Sequence, residues 1–286
     1  MNILRTRSRK YTIGSFAALA TAATLVLVGC STDSNSGSEN EAGSNDQPNV
    51  QEILDRGVIK VGVCLGAPNW GFIDESGEPA GFDVDTANLL GEHLGVDVEI
   101  IETANDGRIP SIQSGAVDVI SCTFTATEER KKQVDFSDAI VYTGNSVLVR
   151  SDSDISSLED LDGVKVGVNK GGTSIAVTTA NAPDAVQVPF DSFADDLTAL
   201  KAGQVEAVID TASVITQAAS EDSSLKIAVD GKVGEPNYFA IGVSQDKKDV
   251  LAAVNEFVAE YHANGEGARL YEKWFWTPTY EFDGIE

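Results

Sequence analysis

Ile112-Gln113-Ser114-Gly115-Ala116-Val117-Asp118-Val119-Ile120 and Leu200-Lys201-Ala202-Gly203-Gln204-Val205-Glu206-Ala207-Val208 are one phrase written twice. In each copy an aliphatic residue ends a helical pattern, and a glycine follows three positions later. Glycine suits the left-handed residue that closes a helix, because it has no Cβ to clash there. The β-branched run after it reads as a strand.

Outward from the first copy, the upstream elements are a strand at Val58-Ile59-Lys60-Val61-Gly62-Val63, a helix over 85–94 with Ala87, Leu90 and Leu94 on one face, and a strand over 96–101. The phrase itself supplies a helix over 109–113 and a third strand over 117–121. Outward from the second copy, the order recurs. A strand over 164–168 leads through Gly171-Gly172-Thr173-Ser174 into a helix, then come a strand over 186–190, a helix over 197–201 and a strand over 205–210. Helical segments over 251–263 and 268–274 follow. Alternating strands and helices predict parallel sheets covered by helices, so the fold class is α/β with two doubly wound lobes. Such sheets turn the C-terminal ends of their strands toward a shared crevice, where ligands bind.

The 286 residues suit two modest lobes better than one core. A formal charge of −25 argues against a nucleic-acid partner, and leaves any anion site dependent on local groups inside a cleft. Only His93 and His262 are present, both in helical stretches and without ligand spacing, so no metal or other cofactor is expected.

Residues 1–29 read as a secretory signal peptide: Arg5, Arg7, Arg9 and Lys10, then an uncharged apolar stretch from Tyr11 to Gly29. Leu27-Val28-Gly29-Cys30 resembles the bacterial lipobox, which implies cleavage before Cys30 and a diacylglycerol on its sulfur. Residues 30–49 then form a lipidated cysteine and a polar leash whose eighteen residues over 31–48 reach roughly 23 Å.

Several motifs carry a wider resemblance. Gly81-Phe82-Asp83-Val84-Asp85, Thr127-Glu128-Glu129-Arg130-Lys131-Lys132-Gln133-Val134-Asp135-Phe136-Ser137, Leu158-Glu159-Asp160-Leu161-Asp162-Gly163 and Glu272-Lys273-Trp274-Phe275 occur in one order along the chain with the first phrase above. Together they resemble the amino-acid-binding family of bacterial extracytoplasmic solute-binding lipoproteins of ABC importers. The resemblance implies the type II periplasmic-binding-protein fold, with residues 50–140 and 240–286 in one lobe and 141–239 in the other. The chain would cross between lobes near 139–143 and 235–240. It also implies a monomer that binds an amino acid, docks to a membrane permease and sits lipid-anchored on the extracytoplasmic face. No Ser-His-Asp or Cys-His set is evident, so binding without catalysis is expected; a dehydratase on the same fold is the alternative.

Residue by residue, Arg130 matches the arginine that holds the ligand α-carboxylate in that family, and a guanidinium forks well onto a carboxylate. Its alternative is a surface ion pair with Glu128 or Glu129. Thr123 and Thr125 precede it at the end of the third strand, and Thr173 opens a helix whose N–H groups favour an anion. Arg108 resembles the arginine that a glutamate- and aspartate-binding subgroup uses for the side-chain carboxylate, against a solvated pairing with Asp106. That subgroup's first-strand arginine is Cys64 here, its second-lobe histidine is Phe193, and the acid that receives the ligand ammonium aligns with Thr211. Asp210, one place earlier, takes that role if the strand shifts by one residue; otherwise the ammonium is held differently. Trp70 lies in the loop where relatives set an aromatic against the ligand, and a packing role is its alternative. Cys64 and Cys122 end neighbouring strands, where an oxidising compartment favours a disulfide over two buried thiols.

Overall fold

The computed structural model describes residues 49–275 with the exception of Lys232. The signal peptide, Cys30, the leash up to Pro48, and Trp276 lie outside the described residues. The first described helix, α1 (Val50–Arg56), is fixed at both ends. Asn49 accepts from the Glu52 backbone N–H while Glu52 accepts from that of Asn49, and Gly57 closes the helix at φ 69°.

The chain continues through β1 (Val58–Val63), the short hairpin β2 (Phe72–Ile73) and β3 (Pro79–Ala80), α2 (Phe82–Leu94), β4 (Asp97–Glu102), α3 (Arg108–Gln113), β5 (Val119–Ile120) and β6 (Asp135–Thr143). It then forms β7 (Asn145–Arg150), β8 (Lys165–Asn169), α4 (Ser174–Asn181), β9 (Val186–Phe190), α5 (Phe193–Lys201), β10 (Ala207–Thr211), α6 (Ala212–Glu221), β11 (Leu225–Val229) and β12 (Asn237–Val243). Helices α7 (Lys248–Ala263) and α8 (Glu266–Phe275) close the described part.

Two five-stranded sheets result, ordered β4-β1-β5-β12-β6 and β11-β7-β10-β8-β9. In the first, β1 lies parallel to β4 and β5, and β12 runs antiparallel to β5 and β6. In the second, β8 lies parallel to β9 and β10, and β7 runs antiparallel to β10 and β11. The two lobes are therefore the same arrangement, and the repeated phrase ends in the matching strands β5 and β10. Its glycines do the work that the pattern assigned to them: Gly115 and Gly203 follow α3 and α5 at φ 72° and 70°.

The antiparallel pair β6–β12 carries the chain between lobes, with Thr143 opposite Asn237 and Asp135 opposite Val243. In the first lobe, Ile59, Val61, Phe82, Leu90, Ile241, Val254 and Phe257 form one buried cluster between sheet and helices. In the second, Val147, Val149, Val166, Val168, Ala207 and Ile209 fill one face of the sheet. The first lobe's third strand is shorter than its apolar run, since only Val119 and Ile120 keep ladder geometry before the chain turns into the cleft.

Candidate functional site

A cavity of about 500 Å³ opens between the lobes, lined by groups from the C-terminal ends of strands in both sheets. From the first lobe, Arg108, Thr123, Thr125 and Arg130 line it; from the second, Thr173 and Asp210 do. Cys64 and Trp70 reach it as well.

Arg130 stands in a single 3-10 turn and is partly exposed to the cavity. Its Nη1 donates to the Thr125 carbonyl at 2.7 Å and its Nη2 to the Gly171 carbonyl at 2.8 Å. Nε and the second hydrogen of each Nη remain open, enough for a bidentate carboxylate. Burial lowers its pKa to about 10, which leaves it charged at neutral pH. The surface ion pairs fall to its neighbours: Glu128 pairs with Lys131 and Glu129 with Lys132, each at 2.8 Å.

Arg108 is buried rather than solvated. Its Nε donates to the Asn105 carbonyl at 2.7 Å, and Nη1 donates to the carbonyls of Cys122 at 2.9 Å and Thr123 at 3.3 Å. Its Nη2 donates to Gly171 at 2.8 Å. Four of the five donors of a guanidinium are thus occupied by backbone. Burial, and then the charge of Arg130, lower its pKa, opposed by Asp83, Asp106 and Asp210. Both guanidinium carbons lie close to the Phe124 ring, at 4.7 Å for Arg108 and 5.0 Å for Arg130, so an aromatic face helps to hold two like charges together.

Thr123 is held in the left-handed region at φ 40°. Its N–H donates to Asp83 Oδ2 at 3.0 Å, and the Ser121 hydroxyl donates to Oδ1 at 3.2 Å. Thr125 of the first lobe and Thr173 of the second both donate to Oδ1 of Asn237, at 3.3 and 3.2 Å. Asn237 in turn donates to Asn145 Oδ1 at 2.7 Å. Thr173 is the N-cap residue of α4, but its side chain makes no capping bond.

On the opposite wall, Asp210 accepts from the side-chain amide of Asn169 and from the Thr211 N–H. Burial raises its pKa, countered by those bonds and by Arg108. Thr211 also lines the cavity, so both members of the one-residue ambiguity are at the site, and only Asp210 offers a carboxylate. Trp70 lines the cavity from a packed position. It is almost wholly buried, against the rings of Phe82, Phe239 and Phe275 at 5.0, 5.1 and 4.8 Å, and its Nε1 donates to Ser213 across the cleft at 3.1 Å. Cys64 and Cys122 are joined as a disulfide with Cα atoms 5.0 Å apart, beside the Arg108 anchor on the Cys122 carbonyl.

Sequence reasoning missed Phe124, Asn237, Asn169 and the Gly171 carbonyl. Phe124 had a signal, an aromatic between two site threonines. Asn237 had none, since it meets Thr125 and Thr173 only in the folded chain.

Residues 59–277 match the family described as bacterial extracellular solute-binding proteins, family 3. The chain is 31% identical to the ABC transporter glutamine-binding protein GlnH of Bacillus subtilis (strain 168) over 267 residues, 92% of this chain and 96% of the relative. It is 34% identical to the glutamine-binding protein of Geobacillus stearothermophilus over 248 residues, 82% of this chain and 93% of the relative. Among solved structures, the P235GK mutant of ArgBP from T. maritima superposes with a TM-score of 0.74 at 34% identity, covering 80% of this chain and 99% of that one. The two sheets of like topology, the cleft between them and these matches place the chain among the bacterial extracellular solute-binding proteins of family 3.

Proposed function

We propose that the protein is the substrate-binding lipoprotein of an amino-acid ABC importer, closing its lobes on a polar amino acid outside the cell and delivering it to a membrane permease. One observation carries this reading: Arg130, with open donors, and Asp210, a carboxylate, line opposite walls of one cavity. A zwitterion presents the complementary pair, its carboxylate toward Arg130 and its ammonium toward Asp210. Thr123, Thr125 and Thr173 add hydroxyls around the same space, and Trp70 closes the apolar side. The names of the two glutamine-binding relatives agree with an amino-acid ligand.

Arg108 bears on which amino acid. A glutamate- or aspartate-like ligand would place its side-chain carboxylate near that charge. Four of its donors are already held by backbone, however, which leaves little fork for a second carboxylate and favours a neutral polar side chain.

A thermal-shift screen of the twenty amino acids tests the reading, with a parallel assay for turnover. A ligand at a hundredfold over its Kd adds ~2.7 kcal/mol of apparent stability. No shift with any amino acid, or steady conversion of one, would remove the proposal. Anchoring through Cys30 is tested separately: Cys30→Ala should leave precursor or a differently cut form, and unchanged mature mass with membrane retention would refute it.

A further inference from the structure

A second acid lies behind Asp210. Asp196, on α5, is fully buried, and neither of its carboxylate oxygens has a hydrogen-bond partner. Strand alternation shows where it sits. Val166 and Val168 of β8, with Ala207 and Ile209 of β10, face one core cluster, whereas Val208 belongs to the other. Gly167 and Asn169 of β8 therefore share the face of Val208 and Asp210. The parallel register pairs Gly167 with Val208, which puts Asn169 level with Asp210 two residues on.

Helix α5 covers this face, and a Cβ built on Gly167 would lie 2.7 Å from Oδ1 of Asp196. The glycine leaves the space that the acid fills. Asn169 gives its amide hydrogen to Asp210, while its own Oδ1 is buried without a donor. Asp196, Asn169 and Asp210 thus form one polar group under the cleft wall, short of hydrogens.

Other charges near α5 are engaged elsewhere. Arg150 of β7 donates to the carbonyls of Leu200 and Val205, and Lys201 pairs with Asp222. The Glu206 carboxylate accepts from the backbone N–H of Lys165, and Lys170 pairs with Asp191. Strand β9 carries no titratable side chain. Asp195 is the remaining acid beside Asp196 and is exposed. Burial first, then the charges of Asp210 and Asp195, push the Asp196 carboxyl up to about 8.

We propose that Asp196 is a positioning residue of the ammonium subsite: a buried acid that sets, through its charge state, how strongly Asp210 holds a ligand cation. The inference rests on Asp210 receiving that cation. A positive group arriving at Asp210 favours the ionised form of Asp196, so binding drives a proton from Asp196 to solvent. By linkage, affinity then rises with pH across the range in which Asp196 titrates.

The test compares wild type, Asp196→Asn and Asp195→Asn by calorimetry, using an amino acid that binds, in two buffers of different ionisation heat. Urea unfolding of the ligand-free proteins runs alongside over the same pH range. Wild type and Asp195→Asn should release a fraction of a proton near pH 7.5, with affinity rising about three- to tenfold between pH 6.5 and 8.5. Asp196→Asn should release measurably less and rise less steeply with pH, since only Asp210, whose carboxyl burial also raises, is left to give up a proton to the same ligand. Its ligand-free stability should also decline less steeply toward pH 8 than that of wild type, because the share of Asp196 is gone while Asp83, Asp118 and Asp210 keep theirs. Asp83, in the other lobe, titrates in all three proteins and cancels from the comparison. Equal proton release in wild type and Asp196→Asn overturns the proposal. If the stability curves differ while the proton counts agree, Asp196 is a buried acid without a link to the ligand, and the proposal again fails. Amino-acid binding that survives Asp210→Asn unchanged removes its basis in a way that neither result would.

Discussion

The carbonyl oxygen of Gly171 lies 2.8 Å from Nη2 of Arg130, and accepts from Nη2 of Arg108 at the same distance. One backbone oxygen of the second lobe thus receives both cations of the first. The approach depends on glycine. At φ 66°, a Cβ on residue 171 would stand 2.6 Å from Cα of Asp106 and 2.7 Å from its nitrogen. Backbone cannot yield there as a side-chain tip could.

Gly171→Ala should therefore hold the lobes apart. We expect at least tenfold weaker ligand binding, equivalent to about 1.4 kcal/mol. The mutant should also fail to compact on ligand addition in small-angle scattering. Wild-type affinity together with normal compaction would show that this contact does not limit closure.

Arg130 and Arg108 should separate in their effects. Truncating one partner of a buried charge pair costs about 2–5 kcal/mol, roughly thirty- to several-thousand-fold in affinity. Arg130→Ala should lose that much for every amino acid while unfolding nearly as wild type, because it gives up only two backbone bonds. Arg108→Ala strips donors from four carbonyls and should lower stability as well, by about 1–3 kcal/mol for each carbonyl left dry. With its fork held by backbone, it should weaken charged and neutral analogues alike. Selective loss of glutamate or aspartate over glutamine would instead restore the dicarboxylic reading.

The disulfide should matter for the fold more than for the ligand. It closes a loop of sequence separation 58, for which chain entropy gives about 4 kcal/mol as an upper figure. The double variant Cys64→Ser with Cys122→Ser should lose about 2–4 kcal/mol in urea unfolding. Its ligand affinity should fall less than that of Arg130→Ala. A stability matching wild type would mean that the strands are held in register without the bridge.

The parts legible in the sequence were those written locally. The phrase around Gly115 and Gly203 carried its own stop signal, and its two copies end in β5 and β10, which hold equivalent places in the two sheets. Arg130 was legible through a motif that resembles the family's, Thr123 and Thr125 because they lie just before it in the chain, and Thr173 because it follows Gly171-Gly172 at a helix start. Asn237 was not: it joins Thr125 and Thr173 across separations of 112 and 64 residues, which no period reports. Nor was the state of Arg108, since an arginine at a helix start looks solvated until its partners, backbone carbonyls up to 63 residues away, are in place. Asp196 fell just before the helix expected over 197–201 and drew no reading, whereas the helix in fact starts at Phe193 and includes it. Only the strand beneath it, with glycine at 167, shows that it points inward.

Asp83 gives a pH dependence whose sign is fixed. Burial pushes its carboxyl up to about 7, against the lowering effects of the Thr123 N–H, the Ser121 hydroxyl and Arg108. The folded value therefore lies above the ordinary one near 3.8, and between the two the folded state holds more protons than the unfolded. The contribution of Asp83 to stability then falls as pH rises from about 4 through about 7. Other buried acids with raised values, Asp118, Asp196 and Asp210, add slopes of the same sign. Asp83→Asn isolates one contribution, because asparagine keeps an oxygen for the Thr123 N–H and cannot ionise. At pH 5 it should be slightly less stable than wild type, by about 1 kcal/mol for imperfect replacement of the bonds. Toward pH 8 the gap should close or reverse, as wild type alone must ionise a buried group. Urea unfolding at pH 5, 6, 7 and 8 measures this, and parallel curves for the two proteins would mean that Asp83 is ionised in the native state throughout.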